Sequence, residues 1–191
     1  MPDDDGRRFG ALPLEEMTAA QRAVADAILA GPRAASTGLQ GPFEALLRSP
    51  SLADAAQRLG EHVRFRSSVP APLNELAILL TARRWRAGFE WYAHRRLALE
   101  AGLPEAVVDA VGRGERPTGM DAATAAVHDF AAALLADGQV SDALFADVVG
   151  QWGEQGAVDL VGVVGYYCLV SFVLNVDRYP VPPAPPDETA P

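Results

Sequence analysis

Residues 160–176 have the sequence LVGVVGYYCLVSFVLNV, seventeen consecutive residues without a charge. That length is at the short end for a transmembrane helix, and no basic cluster or pair of aromatic belts flanks the stretch. It is bordered instead by two acidic residues, Asp159 and Asp177. A helix that is apolar on all sides lies in a bundle interior or a subunit interface. We therefore expect a buried central helix and no membrane span.

Helix signals fill the rest of the chain. Thr18 and Gln21 form a capping-box pattern, and further N-caps are expected at Ser51, Asp121 and Ser141. The helix after Ser141 is expected to stop near Gly153, with the long apolar helix beginning near Ala157. No run alternates with period two, so no strand is predicted. The prediction is an all-α fold with one domain over residues 13–178, between a flexible acidic tail (1–12) and a proline-rich tail (179–191).

Composition excludes several classes of function. Among 191 residues, 49 % are hydrophobic and the formal net charge is -9, so an acidic surface would repel nucleic acid. The single cysteine, Cys168, allows neither an internal disulfide nor a thiolate metal cluster, and the three histidines show no metal spacing. We expect no metal and no cofactor. The N-terminus lacks the apolar stretch of a signal peptide, so the expected location is the cytoplasm.

Two acids and one histidine are the candidates for chemistry. Glu90 and His94 are four residues apart, which places both side chains on one face of a helix. Glu75 lies in a strongly apolar run on the preceding predicted helix. A histidine near carboxylates can accept and return a proton. The same spacing also fits an ordinary surface ion pair, and Glu75 could simply complement a helix dipole.

A family resemblance adds to this pattern. Residues 64–103 contain three stretches, Glu75-Leu76-Ala77-Ile78, Ala82-Arg83 and Glu90-Trp91-Tyr92-Ala93-His94, that resemble the core motif of carboxymuconolactone decarboxylase family proteins. The resemblance extends more loosely over residues 21–183. It implies the AhpD-like fold, an orthogonal helical bundle, and self-association into a homo-oligomer, a trimer or a hexamer.

The same resemblance bears on the reaction. In the hydroperoxidase branch of the family two cysteines occupy the positions that are Ala87 and Glu90 here, and disulfide-based peroxide reduction needs both thiols. The decarboxylase branch looks similar to this chain. It implies that Glu75 and His94 handle protons in a lyase-type reaction without a cofactor, and that Glu90 orients His94 or contacts the substrate.

The expected substrate is a small carboxylated or lactone-like molecule. Arginines offer a forked geometry for a carboxylate, and aromatic side chains can wall a pocket for a flat ligand. The expected substrate-binding residues are Arg64, Arg83, Trp91, Tyr92 and Tyr167. Two alternatives stay open: a divergent alkyl hydroperoxidase-like oxidoreductase that uses Cys168, and a non-catalytic oligomer that binds a small molecule.

Overall fold

The computed structural model describes residues 6–35 and 38–183. In these residues the chain forms eight α-helices, two short 3-10 helices and no strand, so the predicted all-α class is confirmed. The helices are α1 (Ala19–Ala30), α2 (Pro42–Leu46), α3 (Pro50–Phe65), α4 (Ala71–Trp85), α5 (Gly88–Glu100), α6 (Glu105–Gly112), α7 (Ala122–Asp137) and α8 (Asp142–Asp177).

Most helix starts follow the local sequence. The Thr18 side chain accepts a hydrogen bond from the Gln21 N–H, and the Gln21 side-chain oxygen accepts one from the Thr18 N–H, as the capping-box pattern predicts. The Asp121 and Ser141 side chains cap α7 and α8, each by accepting one hydrogen bond from a backbone N–H of the first turn. The predicted cap at Ser51 is wrong, because Pro50 occupies the first turn of α3. Proline lacks an N–H and is tolerated there, so the helix begins earlier.

The second half of α8 is the centre of the bundle. α4 packs against α5, α7 and α8, and α8 also contacts α2, α3 and α7. α8 is the one described helix that is long and apolar enough to cross a membrane, and 56 % of its most apolar window is buried inside the fold. That burial agrees with the predicted core helix. The helical path is interrupted at Gly153, whose backbone angles are not helical, so the predicted stop there is confirmed. Helix resumes directly after Gly153 rather than near Ala157.

The segment before residue 13 is held against the C-terminal end of α8. The Arg7 guanidinium pairs with Glu44 and donates to the Asp177 carboxylate at 2.8 Å, and the Phe9 N–H donates to the same carboxylate at 2.8 Å. Charge-assisted bonds of this kind are about twice as strong as neutral ones. Residues 7–9 of the expected flexible N-terminal tail are therefore anchored. Residues 1–5 of that tail, and residues 184–191 of the C-terminal one, lie outside the described part of the chain.

Candidate functional site

A tight reversal between α4 and α5 creates the site. Arg86 adopts the left-handed conformation (φ 51°, ψ 42°) and ends α4, after which the Ala87 N–H bonds back to the Ala82 carbonyl at 2.9 Å. The chain then re-enters helix at Gly88. Since α5 returns alongside α4, His94 comes next to Glu75, nineteen residues earlier in the sequence.

The imidazole of His94 is held by a carboxylate at each nitrogen. Nδ1 lies 2.6 Å from Glu75 Oε2, and Nε2 lies 3.1 Å from Glu90 Oε2. Only 4 % of His94 is exposed, and the Glu90 side chain is also buried. A neutral imidazole has one N–H, so both contacts are hydrogen bonds to a carboxylate only when the ring is protonated.

The two carboxylates change the acidity of the ring. Burial by itself lowers the pKa of His94, because a charged ring is poorly solvated in the interior. The negative charges and hydrogen bonds of Glu75 and then Glu90 outweigh burial and raise the pKa from 6.5 to about 9. At neutral pH the folded protein therefore carries a buried imidazolium, which is a proton donor.

A small polar cavity opens beside this triad. Its volume is about 20 Å³, room for about one water molecule. Glu90 and His94 line it, and Glu75 does not. The other polar side chains at its wall are those of Arg33, Gln40, Arg64, Tyr166 and Tyr167.

The two tyrosines form an aromatic wall. The Tyr167 ring meets His94 edge to face at a centroid distance of 5.0 Å, and Tyr166 meets Tyr167 at 5.1 Å. Burial raises the pKa of Tyr166 above its ordinary value and that of Tyr167 well above it. Both phenols therefore stay neutral and can donate a hydrogen bond to a group in the cavity.

Gly60 on α3 makes room for part of this wall. A Cβ at this position would overlap the Tyr166 hydroxyl and come within 2.7 Å of Arg33 Nη2. The Arg33 guanidinium also lies 4.8 Å from the centroid of the Phe43 ring, and only 9 % of Arg33 is exposed. The buried Arg33 side chain thus lies between the Phe43 ring and the α3 backbone at Gly60.

The predicted site residues separate into two groups. Glu75, Glu90 and His94 meet as the spacing and the family resemblance predict, and Arg64 and Tyr167 line the same cavity. The structure does not bring Arg83, Trp91 and Tyr92 to it.

Each of these three residues lies elsewhere for a local reason. Arg83 Nε donates to the Gly112 carbonyl at 2.9 Å and so ties α4 to α6. The buried Trp91 ring packs on Gly112, and Tyr92 lines a separate surface depression on α5. On a helix, positions 91 and 92 point away from the face that 90 and 94 share.

Arg33 was missed by sequence reasoning. It follows the helix stop at Gly31 and Pro32, in a short 3-10 helix. Neither spacing nor a motif connects it with residue 94, because its place at the same cavity depends on how α1 and α3 pack. No sequence signal available in one chain could have found it.

A second polar cluster lies outside the cavity. The buried Asp159 accepts hydrogen bonds from the Ser68 N–H at 2.8 Å and the Ser68 hydroxyl at 2.7 Å, and lies 3.2 Å from His62 Nε2. The serine donates to the acid and not to the imidazole, so this is not a nucleophile–base pair. The cluster anchors the α3–α4 turn to α8.

Cys168 does not belong to the site. Its thiol is half-buried and accepts a hydrogen bond from Trp85 Nε1 at 3.1 Å, and burial raises its pKa. Such a thiol is a weak nucleophile at neutral pH. Within the described residues, no group of three histidine, cysteine or acidic side chains is arranged to hold a metal ion.

No protein-family model matches the chain, and no curated protein matches it at a significant level. The resemblance to the carboxymuconolactone decarboxylase family therefore stays a prediction from the motif.

Proposed function

We propose that the protein is a cofactor-independent enzyme of the carboxymuconolactone decarboxylase type, which moves protons on a small carboxylated or lactone-like molecule. One observation carries the proposal: the buried His94 ring, held by carboxylates at both nitrogens, lies beside a small cavity. Holding a protonated histidine in the interior is unfavourable unless charges compensate it. Groups with strongly shifted pKa values in a cavity are typical of catalytic sites.

The two carboxylates would have different roles. Glu90, which bonds to Nε2 of His94, lines the cavity together with His94, whereas Glu75 bonds to Nδ1 and does not line it. This geometry favours Glu90 and His94 as the proton-handling pair and Glu75 as a positioning residue. The motif alone favoured Glu75 for proton handling, and the cavity argues for exchanging the two roles.

A decarboxylation at this site would proceed in two steps. The bond between the substrate carbon and its carboxylate breaks, carbon dioxide leaves, and the electron pair stays on carbon as an enolate. The positive charges of Arg33 and Arg64 at the wall would stabilise the enolate oxygen. His94 then protonates the carbon and regains a proton from solvent. An isomerisation would use the same groups to remove a proton and return it at another carbon.

The cavity volume restricts how a substrate enters. Room for about one water does not accommodate a ring, so binding requires the side chains at the wall to change rotamer. Gln40 is the exposed member of the wall. Side-chain movement that opens a cavity is common where an active site excludes water during reaction.

Replacing His94 by Ala or by Gln tests the proposal. We expect release of carbon dioxide, or incorporation of solvent deuterium, from a panel of small carboxylic acids and lactones by the unmodified protein. Both variants should lose this activity by at least about a hundredfold, the usual contribution of a general acid or base. His62→Gln is the matched control, because His62 lies in the Asp159 cluster. Full activity in a folded His94→Ala variant would remove the proposal.

A non-catalytic binding protein is the second candidate. The small cavity and the imidazole with both nitrogens bonded favour it, since a binding site needs no free base. In that case a small molecule stays bound through purification and no member of the panel turns over. The oxidoreductase alternative is disfavoured by the raised pKa of Cys168 and by the lack of a second cysteine in the chain. It would require thiol-dependent peroxide consumption that Cys168→Ser abolishes.

A further inference from the structure

A second, larger depression lies where the C-terminal end of α4 meets α7 and the chain directly after α6. Its volume is about 500 Å³, which is within the range of small-molecule sites. Arg83, Arg84 and Arg86 line it, and none of the described acidic side chains does. The chain as a whole has a formal net charge of -9. Three cations in one concave wall are therefore a local exception on an acidic protein.

Two of the three arginines are held in place by main-chain carbonyls. Arg83 Nε donates to the Gly112 carbonyl of α6 at 2.9 Å, and Arg84 Nε donates to the Leu135 carbonyl of α7 at 3.3 Å. Within residues 6–35 and 38–183, neither these two nor Arg86 forms an ion pair. Because each bond uses Nε alone, the terminal nitrogens of both guanidinium groups keep their N–H donors for another group.

The neighbouring residues restrict the same side chains further. The Arg84 guanidinium lies 4.9 Å from the centroid of the Trp85 ring. Gly114 has a left-handed backbone (φ 74°), and a Cβ there would come within 3.0 Å of Arg83 Nη2. Arg86 occupies the left-handed position that ends α4. A ligand that binds here therefore has to order few additional rotamers, which lowers the entropic cost of binding.

The depression stays positive when its surroundings are counted. The C-terminal end of a helix carries about half a negative charge, which offsets only a small part of three cations. Glu115 pairs with Arg113 at 2.9 Å, and Asp137, the last residue of α7, does not line the depression. Arg84 and Arg86 are exposed and hydrated, so the attraction for an anion comes from the combined field of the cations at one concave surface.

The rest of the wall indicates what kind of anion fits. It is apolar, with Leu80 from α4 and Ala132, Leu135 and Ala136 from α7, so an inorganic ion would leave it uncovered. A phosphate monoester carries a charge of about -1.5 to -2 at neutral pH and three acceptor oxygens, and arginine pairs with phosphate in a forked geometry. A carboxylate has two oxygens and one charge. Three arginines therefore match a phosphate group better than a carboxylate.

We propose that this depression binds an organic phosphate, with the phosphate group between Arg83, Arg84 and Arg86 and an apolar body against Leu80 and Leu135. The depression shares no residue with the cavity beside His94. It is thus a second binding site, and either this proposal or the proposed function can fail without the other.

Phenyl phosphate, benzoate and benzyl alcohol are suitable probes, since each has one benzene ring and they differ in charge. The full-length protein is titrated with each by calorimetry at neutral pH and constant ionic strength. We expect saturable binding of phenyl phosphate at one site per chain, binding of benzoate at least about tenfold weaker, and none of benzyl alcohol. Inorganic phosphate should bind more weakly than phenyl phosphate. No saturable binding of phenyl phosphate, or equal affinity for benzoate, would overturn the proposal.

Variants assign the binding to the depression. The double variant Arg84→Gln and Arg86→Gln changes two exposed side chains and should weaken phenyl phosphate binding at least about tenfold. The matched control, Arg58→Gln with Arg96→Gln, removes the same charge from side chains that are 67 % and 64 % exposed elsewhere. Its affinity should be unchanged, and so should that of His94→Gln. An equal loss in the control, or a loss in His94→Gln alone, would contradict the proposed site.

Discussion

Among single residues, Glu75 has the largest effect on the acidity of His94. Replacing Glu75 by Gln removes the largest contribution that raises the pKa while keeping a group that can bond to the ring. Burial remains, so the pKa of His94 should fall from about 9 towards or below its ordinary 6.5. An NMR titration of the imidazole signals measures it.

The control for this titration lies on the same helix. Glu100→Gln removes an exposed acid of α5 that pairs with Arg96 and does not contact His94. The pKa of His94 should then stay near 9. If Glu75→Gln also leaves it near 9, the account of the buried imidazolium is wrong.

At the element scale, α8 bends at Gly153. The backbone angles of Gly153, φ 68° and ψ −176°, belong to a region that only glycine populates. No atom lies within 4 Å of a Cβ built there, so the strain of a substitution comes from the backbone and not from a clash. Gly153→Ala should therefore lower the free energy of unfolding by about 1–3 kcal/mol. Urea denaturation measures the change.

Gly150 provides a matched control in the same helix. A Cβ there also meets open space, but the backbone is helical. Gly150→Ala should leave the free energy of unfolding unchanged or raise it by up to about 1 kcal/mol. If Gly153→Ala and Gly150→Ala change the free energy of unfolding equally, alanine at position 153 adopts the kinked backbone without strain.

At the scale of the whole molecule, α8 keeps an exposed apolar stripe. Val158, Val161, Phe172 and Val176 are each 45–68 % exposed, and their spacing puts them on one face of the helix. Exposed apolar stripes of this kind are common at subunit interfaces. We expect a homo-oligomer, a trimer or a hexamer, which light scattering at micromolar concentration would detect.

Placing charged residues in the apolar stripe tests the predicted homo-oligomer. The double variant Val158→Glu and Val161→Glu should give the monomer mass of 20.2 kDa. Leu29→Glu, which changes an exposed apolar residue on α1, should not alter the mass. A monomeric unmodified protein would contradict the prediction directly.

The buried imidazolium also links the stability of the whole fold to pH. Because the folded-state pKa of His94 lies above the unfolded value, the folded chain binds the proton more tightly. This stabilisation is fully present below pH 6.5 and is lost as pH rises to about 9. It amounts to about 3 kcal/mol. Urea unfolding at several pH values should show the decline, and His94→Gln should abolish it. If the free energy of unfolding of the His94→Gln protein declines in the same way with pH, the decline comes from other titratable groups.

Local chemistry in the sequence was enough for most helix starts and for the Glu90–His94 pair. Capping boxes, prolines in first turns and left-handed glycines act over a few residues, so the starts of α1, α7 and α8 could be predicted. The i,i+4 spacing put Glu90 beside His94 for the same reason. Pro50 shows the limit even here, because a competing first-turn residue moved the start of α3.

Helix packing determines which other side chains reach the cavity. Arg33 lies at the cavity because α1 and α3 pack together and Gly60 has no side chain that would collide with it. Arg83 instead donates a hydrogen bond to the Gly112 carbonyl of α6. These outcomes depend on the relative placement of helices far apart in sequence, which no local pattern encodes. The amino-acid sequence thus determined an all-α fold with Glu90 and His94 on one face of a helix. Helix packing determined the contact between Glu75 and His94, the arginines at the cavity wall and the volume of the cavity.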